Sequence, residues 1–113
     1  MRFLSICLLL ILLCQCTRLP REIIEDEEGI PVVFTYADSQ AKTVCLTGSF
    51  NQWAPQAHCM KKEKSIWKLS LSLPPGRYQY LFLIDDQVWK LDPGATLMEE
   101  NGFGSKNSIL VVE

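Results

Sequence analysis

A chain of 113 residues holds one domain, and its charges nearly balance, with 11 basic and 13 acidic side chains and a formal net charge of −2. That balance leaves no basic face for nucleic acid. One histidine and five cysteines give no metal-ligand spacing, because Cys59 has only His58 beside it, so neither a metal nor another cofactor is expected.

Residues 3–13 are almost all apolar and follow Arg2, the pattern of a secretory signal. The run falls short of the roughly 20 apolar residues that a bilayer-spanning helix needs. Cys14 and Cys16 stand where it ends. A cysteine there resembles the lipid acceptor of bacterial lipoproteins, whose signal reads Leu-x-x-Cys with a small residue before the cysteine. Leu13 meets the first requirement for Cys16, and Gln15 departs from the second. Residues 1–16 are therefore expected to be a lipoprotein-type signal with a weak lipobox. Cys16, or else Cys14, would carry the lipid and hold the exported protein at a bacterial cell envelope; the alternative is simple cleavage and a soluble secreted protein. Residues 17–29, ending in Glu25-Asp26-Glu27-Glu28-Gly29, are polar and acidic and read as an extended tether.

From Ile30 the pattern is that of β-structure. Val32 to Tyr36 is rich in β-branched and aromatic residues, and Lys42-Thr43-Val44-Cys45-Leu46 alternates. Lys61, Lys62 and Lys64, with Glu63 among them, read as a solvated turn. Trp67, Leu69, Leu71 and Leu73 share one strand face, with Lys68, Ser70 and Ser72 on the other, which assigns Trp67 to the core. Pro74-Pro75-Gly76 ends that strand. Tyr78, Tyr80, Phe82 and Ile84 share a face of the next one. Its opposite face carries Gln79, Leu81, Leu83 and Asp85, so that face is either covered or a ligand surface. Asp85-Asp86 is a turn, a short strand lies around Val88 to Leu91, Asp92-Pro93-Gly94 turns again, and Ser108 to Val112 closes the domain. About seven short strands without a helical period predict an all-β antiparallel sandwich over residues 30–113. Cys45 and Cys59 can pair in an oxidising compartment; the alternative is two partly buried thiols.

Two phrases carry the functional signal. One is Leu46-Thr47-Gly48-Ser49-Phe50-Asn51-Gln52-Trp53; the other runs from Gly76-Arg77-Tyr78-Gln79-Tyr80 to Trp89-Lys90-Leu91-Asp92-Pro93. Each tryptophan lies beside a turn, where a whole indole is hard to bury. Two exposed indoles on one small β-domain make a stacking platform for flat apolar faces such as those of sugar rings.

These phrases, with Trp67, Leu73-Pro-x-Gly76, Tyr78-x-Tyr80-x-Phe82-x-Ile84-Asp85 and Asn107-Ser108-Ile109, resemble the glycogen-binding module of the AMP-activated protein kinase β subunit. They equally resemble the wider family-48 carbohydrate-binding modules, early-set domains among them. The likeness covers Ile30 to Glu113 and implies an immunoglobulin-like early-set fold that binds α-1,4-glucan without catalysis. It implies sugar stacking on Trp53 and Trp89, a Phe103 side chain pushed through the curve of the glucan helix, and hydroxyl contacts from Ser105 and Asn107. Leu81 stands where the kinase module has a lysine that donates to the sugar, so weakened binding is expected.

Catalysis finds little support. Asp85-Asp86 and Glu99-Glu100 are sequence neighbours whose side chains diverge, so neither pair can flank a glycosidic bond as an acid and a base must. His58 has only the adjacent Cys59 as a nucleophile, a poor geometry for a dyad. A non-catalytic glucan binder is the expectation. The alternative, drawn from Leu81 and Leu83, is an early-set domain that binds an envelope protein and no sugar.

Overall fold

A computed structural model describes residues 29–113. The expected signal over residues 1–16, its acylated Cys16 or Cys14, and the tether as far as residue 28 lie outside the described residues.

The alternation read in the sequence becomes nine strands among the described residues: β1 Ile30–Ala37, β2 Val44–Gly48, β3 His58–Cys59, β4 Lys61–Glu63, β5 Ile66–Leu73, β6 Gly76–Ile84, β7 Val88–Lys90, β8 Leu97–Glu100 and β9 Lys106–Val112. Two sheets result. One has the order β1-β5-β4; the other has the order β3-β2-β6-β9-β8, with β7 also paired to β6. Every pairing is antiparallel. The described residues thus form an all-β two-sheet sandwich.

The core lies between the sheets. Phe34 and Tyr36 of β1 and Trp67 of β5 meet Val44 and Leu46 of β2 and Tyr80, Phe82 and Ile84 of β6. Burying each such side chain contributes about 1.5–3 kcal/mol. The rings interlock, with Phe34 and Tyr80 edge to face at 5.3 Å and Tyr36 and Phe82 at 5.1 Å between centroids. Trp67 is buried as its alternation predicts, and its indole N–H donates to the Asp38 carbonyl at 3.0 Å. Tyr80 presents a polar tip to the core edge, where its hydroxyl donates to Asp92 at 2.6 Å. Burial, reinforced by that bond, raises the pKa of the Tyr80 hydroxyl.

Two expectations change. Lys61–Glu63 is a strand, β4, paired with β5, and the turn falls at Lys64, whose φ is 63°. The three residues are exposed, so composition alone reads them as loop. The alternation at 42–46 promises one exposed face, yet all five residues of β2 are buried: Val44 and Leu46 join the core, and Cys45 on the other face is bridged to Cys59. Leu83 does lie on the outward face of β6, and there that face is covered: the side chain is buried at 4% exposure, opposite Cys45 on one side and Trp89 on the other.

The central strand, β6, organises the outer face of its sheet. Along one edge it pairs with β2 from Tyr80 to Ile84. Along the other edge it pairs with β9 from Gly76 to Tyr80, then with β7 from Phe82 to Ile84. The neighbour changes at Leu81.

Candidate functional site

A groove lies beside Leu81, where β6 changes partner, and most of its lining comes from the face of β6 that points away from the core. Successive side chains of a strand alternate between faces, and directly paired residues share one. Leu81 therefore shares its face with Thr47, paired to it on β2, and with Leu83 and Trp89. Asn107, next to the Tyr80–Ser108 pair, falls on the same face with Gln79. The groove, of about 1140 Å³, is lined by Trp53, Leu81, Trp89, Phe103, Ser105 and Asn107. Its walls also include Tyr36, Gln79, Lys90, Leu91, Pro93, Asn101 and Lys106. All six residues singled out for sugar contact therefore reach one concavity, from β6, β7, β9 and two loops.

Trp53 arrives on a tightly constrained loop. After β2 the chain makes one turn of 3-10 helix, Ser49–Asn51, then places Gln52 and Trp53 in succession at φ 56° and 58°. Non-glycine residues rarely adopt that conformation, and it persists only where the surroundings impose it. Here they do. Asn51 accepts from the Gly48 N–H at 3.1 Å through its side-chain oxygen, donates to the Leu46 carbonyl at 3.1 Å, and faces the His58 ring nitrogen at 3.0 Å. The Trp53 N–H donates to the Gly48 carbonyl at 2.9 Å. A Cys45–Cys59 disulfide joins β2 to β3 and closes the loop from below. Gly48 is required because a Cβ there would lie 2.4 Å from the Gln79 carbonyl oxygen. The loop is tied to the other tryptophan's turn as well, since Gln56 donates to Asp86 at 3.1 Å.

Trp89 comes after the turn Asp85-Asp86-Gln87. Asp85 and Asp86 lie at φ 51° and 58°, and the Gln87 N–H donates to the Ile84 carbonyl at 3.0 Å. Mirror-image turns of this kind match the twist of a hairpin, and aspartate tolerates them. The Asp85 carboxylate also accepts from the Thr43 and Lys42 N–H groups at 3.0 and 2.6 Å. Those bonds hold its carboxyl below the usual carboxylate range.

The hairpin loop between β8 and β9 supplies Phe103 and Ser105. The Asn101 side-chain oxygen accepts from the Phe103 and Ser105 N–H groups at 2.9 and 3.3 Å, and its backbone N–H donates to the Ser105 carbonyl at 2.9 Å. Gly102 and Gly104 supply the positive φ values, 84° and 88°, that aim the tip. The result holds Phe103 at 90% exposure. Trp89 and Trp53 are 50% and 37% exposed. Three large apolar rings thus stand exposed around one open groove.

The polar side is equally ordered. Asn107 is 6% exposed, and its side-chain N–H donates to Gln79 at 2.9 Å. The sequence places Gln79 on the outward face without assigning it to the site; its two-residue spacing from Leu81 is the available signal. Asn101 escapes sequence reasoning, although Asn-Gly before Phe103 is a turn signature. Among the described residues, no group of His, Cys, Asp and Glu could hold a metal ion.

Comparisons with known proteins converge on one family. Residues 30–113 match the family described as the glycogen recognition site of AMP-activated protein kinase. Protein PTST homolog 2, chloroplastic, of Arabidopsis thaliana is 38% identical over 74 residues, which make up 66% of this chain and 13% of that protein. The 5'-AMP-activated protein kinase subunit beta-1 of Sus scrofa is 34% identical over 83 residues, 74% of this chain and 64% of that sequence. The crystal structure of a maltogenic amylase from S. marinus aligns with a TM-score of 0.63 at 29% identity, over 75% of this chain and 14% of that one. Because the match takes in every strand from β1 to β9, the chain belongs to the glycogen-recognition family of AMP-activated protein kinase, a family of carbohydrate-binding β-sandwich domains.

Proposed function

We propose that the domain is a non-catalytic module that holds α-1,4-linked glucan in the groove over Leu81. The apolar faces of two sugar rings stack on Trp53 and Trp89, Phe103 fills the concave side of the curved chain, and Ser105 and Asn107 meet hydroxyls. The observation that carries this reading is the convergence of these six residues on one groove. Indole faces suit the C–H faces of a pyranose, and an amide with a hydroxyl suits its equatorial rim. The protein-binding alternative loses one of its two motives, since Leu83 is buried. Export is proposed alongside: a Cys45–Cys59 disulfide is typical of an oxidising compartment, and a lipid on Cys16 or Cys14 would hold the module at a membrane.

Titration of the protein with maltoheptaose, monitored by tryptophan fluorescence, tests the glucan reading. Saturable quenching is expected, and it should disappear in a Trp53→Ala, Trp89→Ala double variant. A folded wild type that shows no response to millimolar ligand would overturn it. Lipidation is tested by labelled palmitate incorporation into the full chain, which should vanish when Cys14 and Cys16 are both changed to Ser.

A further inference from the structure

We infer that Glu99 sets the hydrogen-bonding polarity of Asn107 through Gln79, and thereby makes the groove select for a hydroxyl that donates. The inference rests on the glucan reading for its ligand and on three bonds for its mechanism. Asn107 donates its side-chain N–H to the Gln79 oxygen at 2.9 Å. Gln79 donates its own side-chain N–H to Glu99 Oε1 at 3.3 Å. Arg77 donates to the same oxygen at 3.0 Å. The register explains the line-up: Glu99 lies directly opposite Asn107 on β8, while Arg77 and Gln79 lie opposite Val111 and Ile109 on β6.

Two facing amides can bond in either sense, because each carries an NH2 group and an oxygen. A carboxylate can only accept and a guanidinium can only donate. Glu99 therefore breaks the symmetry. It draws the Gln79 NH2 toward itself, which turns the Gln79 oxygen to Asn107. Asn107 must answer with its NH2, and its Oδ1 is left to face other partners as an acceptor. Asn107 lines the groove; Glu99 and Arg77 do not. Glu99 is thus a positioning residue. Its ion pair with Arg77 is solvent-exposed, with both side chains about half accessible, and pairs of that kind contribute little to stability. The arrangement sets direction more than it holds the fold.

The experiment compares wild type, Glu99→Gln, Asn107→Ala and the double variant in titrations with maltoheptaose and with maltoheptaose methylated at its secondary hydroxyls. Proton exchange of the Asn107 side-chain amide is measured by NMR in parallel. Glutamine keeps the shape of Glu99 but loses its charge, so the hold on the Gln79 NH2, through an oxygen that Arg77 still claims, falls from a charge-assisted bond to a neutral one. Glu99→Gln is expected to melt with the wild type, to bind maltoheptaose about 2- to 10-fold more weakly, and to discriminate less against the methylated sugar. It should have no further effect in the Asn107→Ala background, because the coupling runs through that side chain. The Asn107 amide protons should exchange faster in Glu99→Gln. An equal loss with and without Asn107, or amide exchange that ignores residue 99, would overturn the inference. A wild type that fails to bind maltoheptaose while its Asn107 amide still responds to Glu99→Gln would overturn the glucan reading and sustain the polarity relay.

Discussion

Leu81 sits where β6 exchanges β9 for β7, half-buried in the groove between Trp89 and Asn107. An ammonium at that place could donate to sugar hydroxyls, and bonds to charged groups contribute about 1.5–3 kcal/mol. Leu81→Lys is expected to raise maltoheptaose affinity roughly tenfold or more, read by calorimetry, with little change in melting temperature. Unchanged affinity would mean that Leu81 lies out of reach of the hydroxyls. Gly48 shows the opposite kind of constraint. Its backbone is extended, at φ −170°, which any residue can adopt, so its demand is for space alone. A methyl group there would meet the Gln79 carbonyl oxygen at 2.4 Å and Tyr80 Cβ at 2.8 Å. Gly48→Ala is expected to destabilise the fold by about 1–3 kcal/mol, measured by urea denaturation. Affinity should fall with it, since the displaced strand carries Gln79 and the shifted turn carries Trp53.

Strands that bury one face announce themselves; those that bury none are legible only where a turn signal frames them, as Asp85-Asp86 and Asp92-Pro93-Gly94 frame β7. β5 is legible because Trp67, Leu69, Leu71 and Leu73 alternate with Lys68, Ser70 and Ser72, which are exposed. All four residues of β8 are exposed, so Leu97–Glu100 shows no period, and the strand exists through its hairpin to β9. β3 has only two residues and is held by its pairing with β2. The turns are readable from Asp85-Asp86, which tolerate positive φ, and from Asp92-Pro93-Gly94, where the Asp92 carboxylate accepts from the Gly94 N–H. The aromatic half of the groove is readable too, because a tryptophan beside a turn is hard to bury and its sequence setting resembles a known family. The polar half is not. Which way the Asn107 amide points depends on Glu99, on a different strand, and no local pattern encodes that. The Trp53-bearing element also depends on a distant tie. Removing the disulfide as Cys45→Ala, Cys59→Ala should cost about 2–4 kcal/mol and weaken glucan binding, with denaturation curves and fluorescence titration as the two readouts.

Across the whole molecule, acid should reach the fold through the same turn that presents Trp89. The Asp85 carboxyl is held below its ordinary value by the Thr43 and Lys42 N–H groups. A group depressed in the folded state stabilises above its unfolded pKa, near 3.9 for aspartate, and that contribution disappears as pH falls through the folded value. Wild type should therefore be more stable than Asp85→Ala at pH 7, and the gap should narrow in denaturation curves taken progressively below about pH 4. A constant gap from pH 7 to pH 3 would assign the residue's contribution to turn shape alone. The disulfide has a different reach, because the chain it closes, from Cys45 to Cys59, carries both Gly48 and Trp53. Oxidised and reduced preparations of the same polypeptide are then expected to differ in glucan affinity, read by fluorescence titration. A preparation recovered from a reducing host should bind more weakly than the same protein after oxidation.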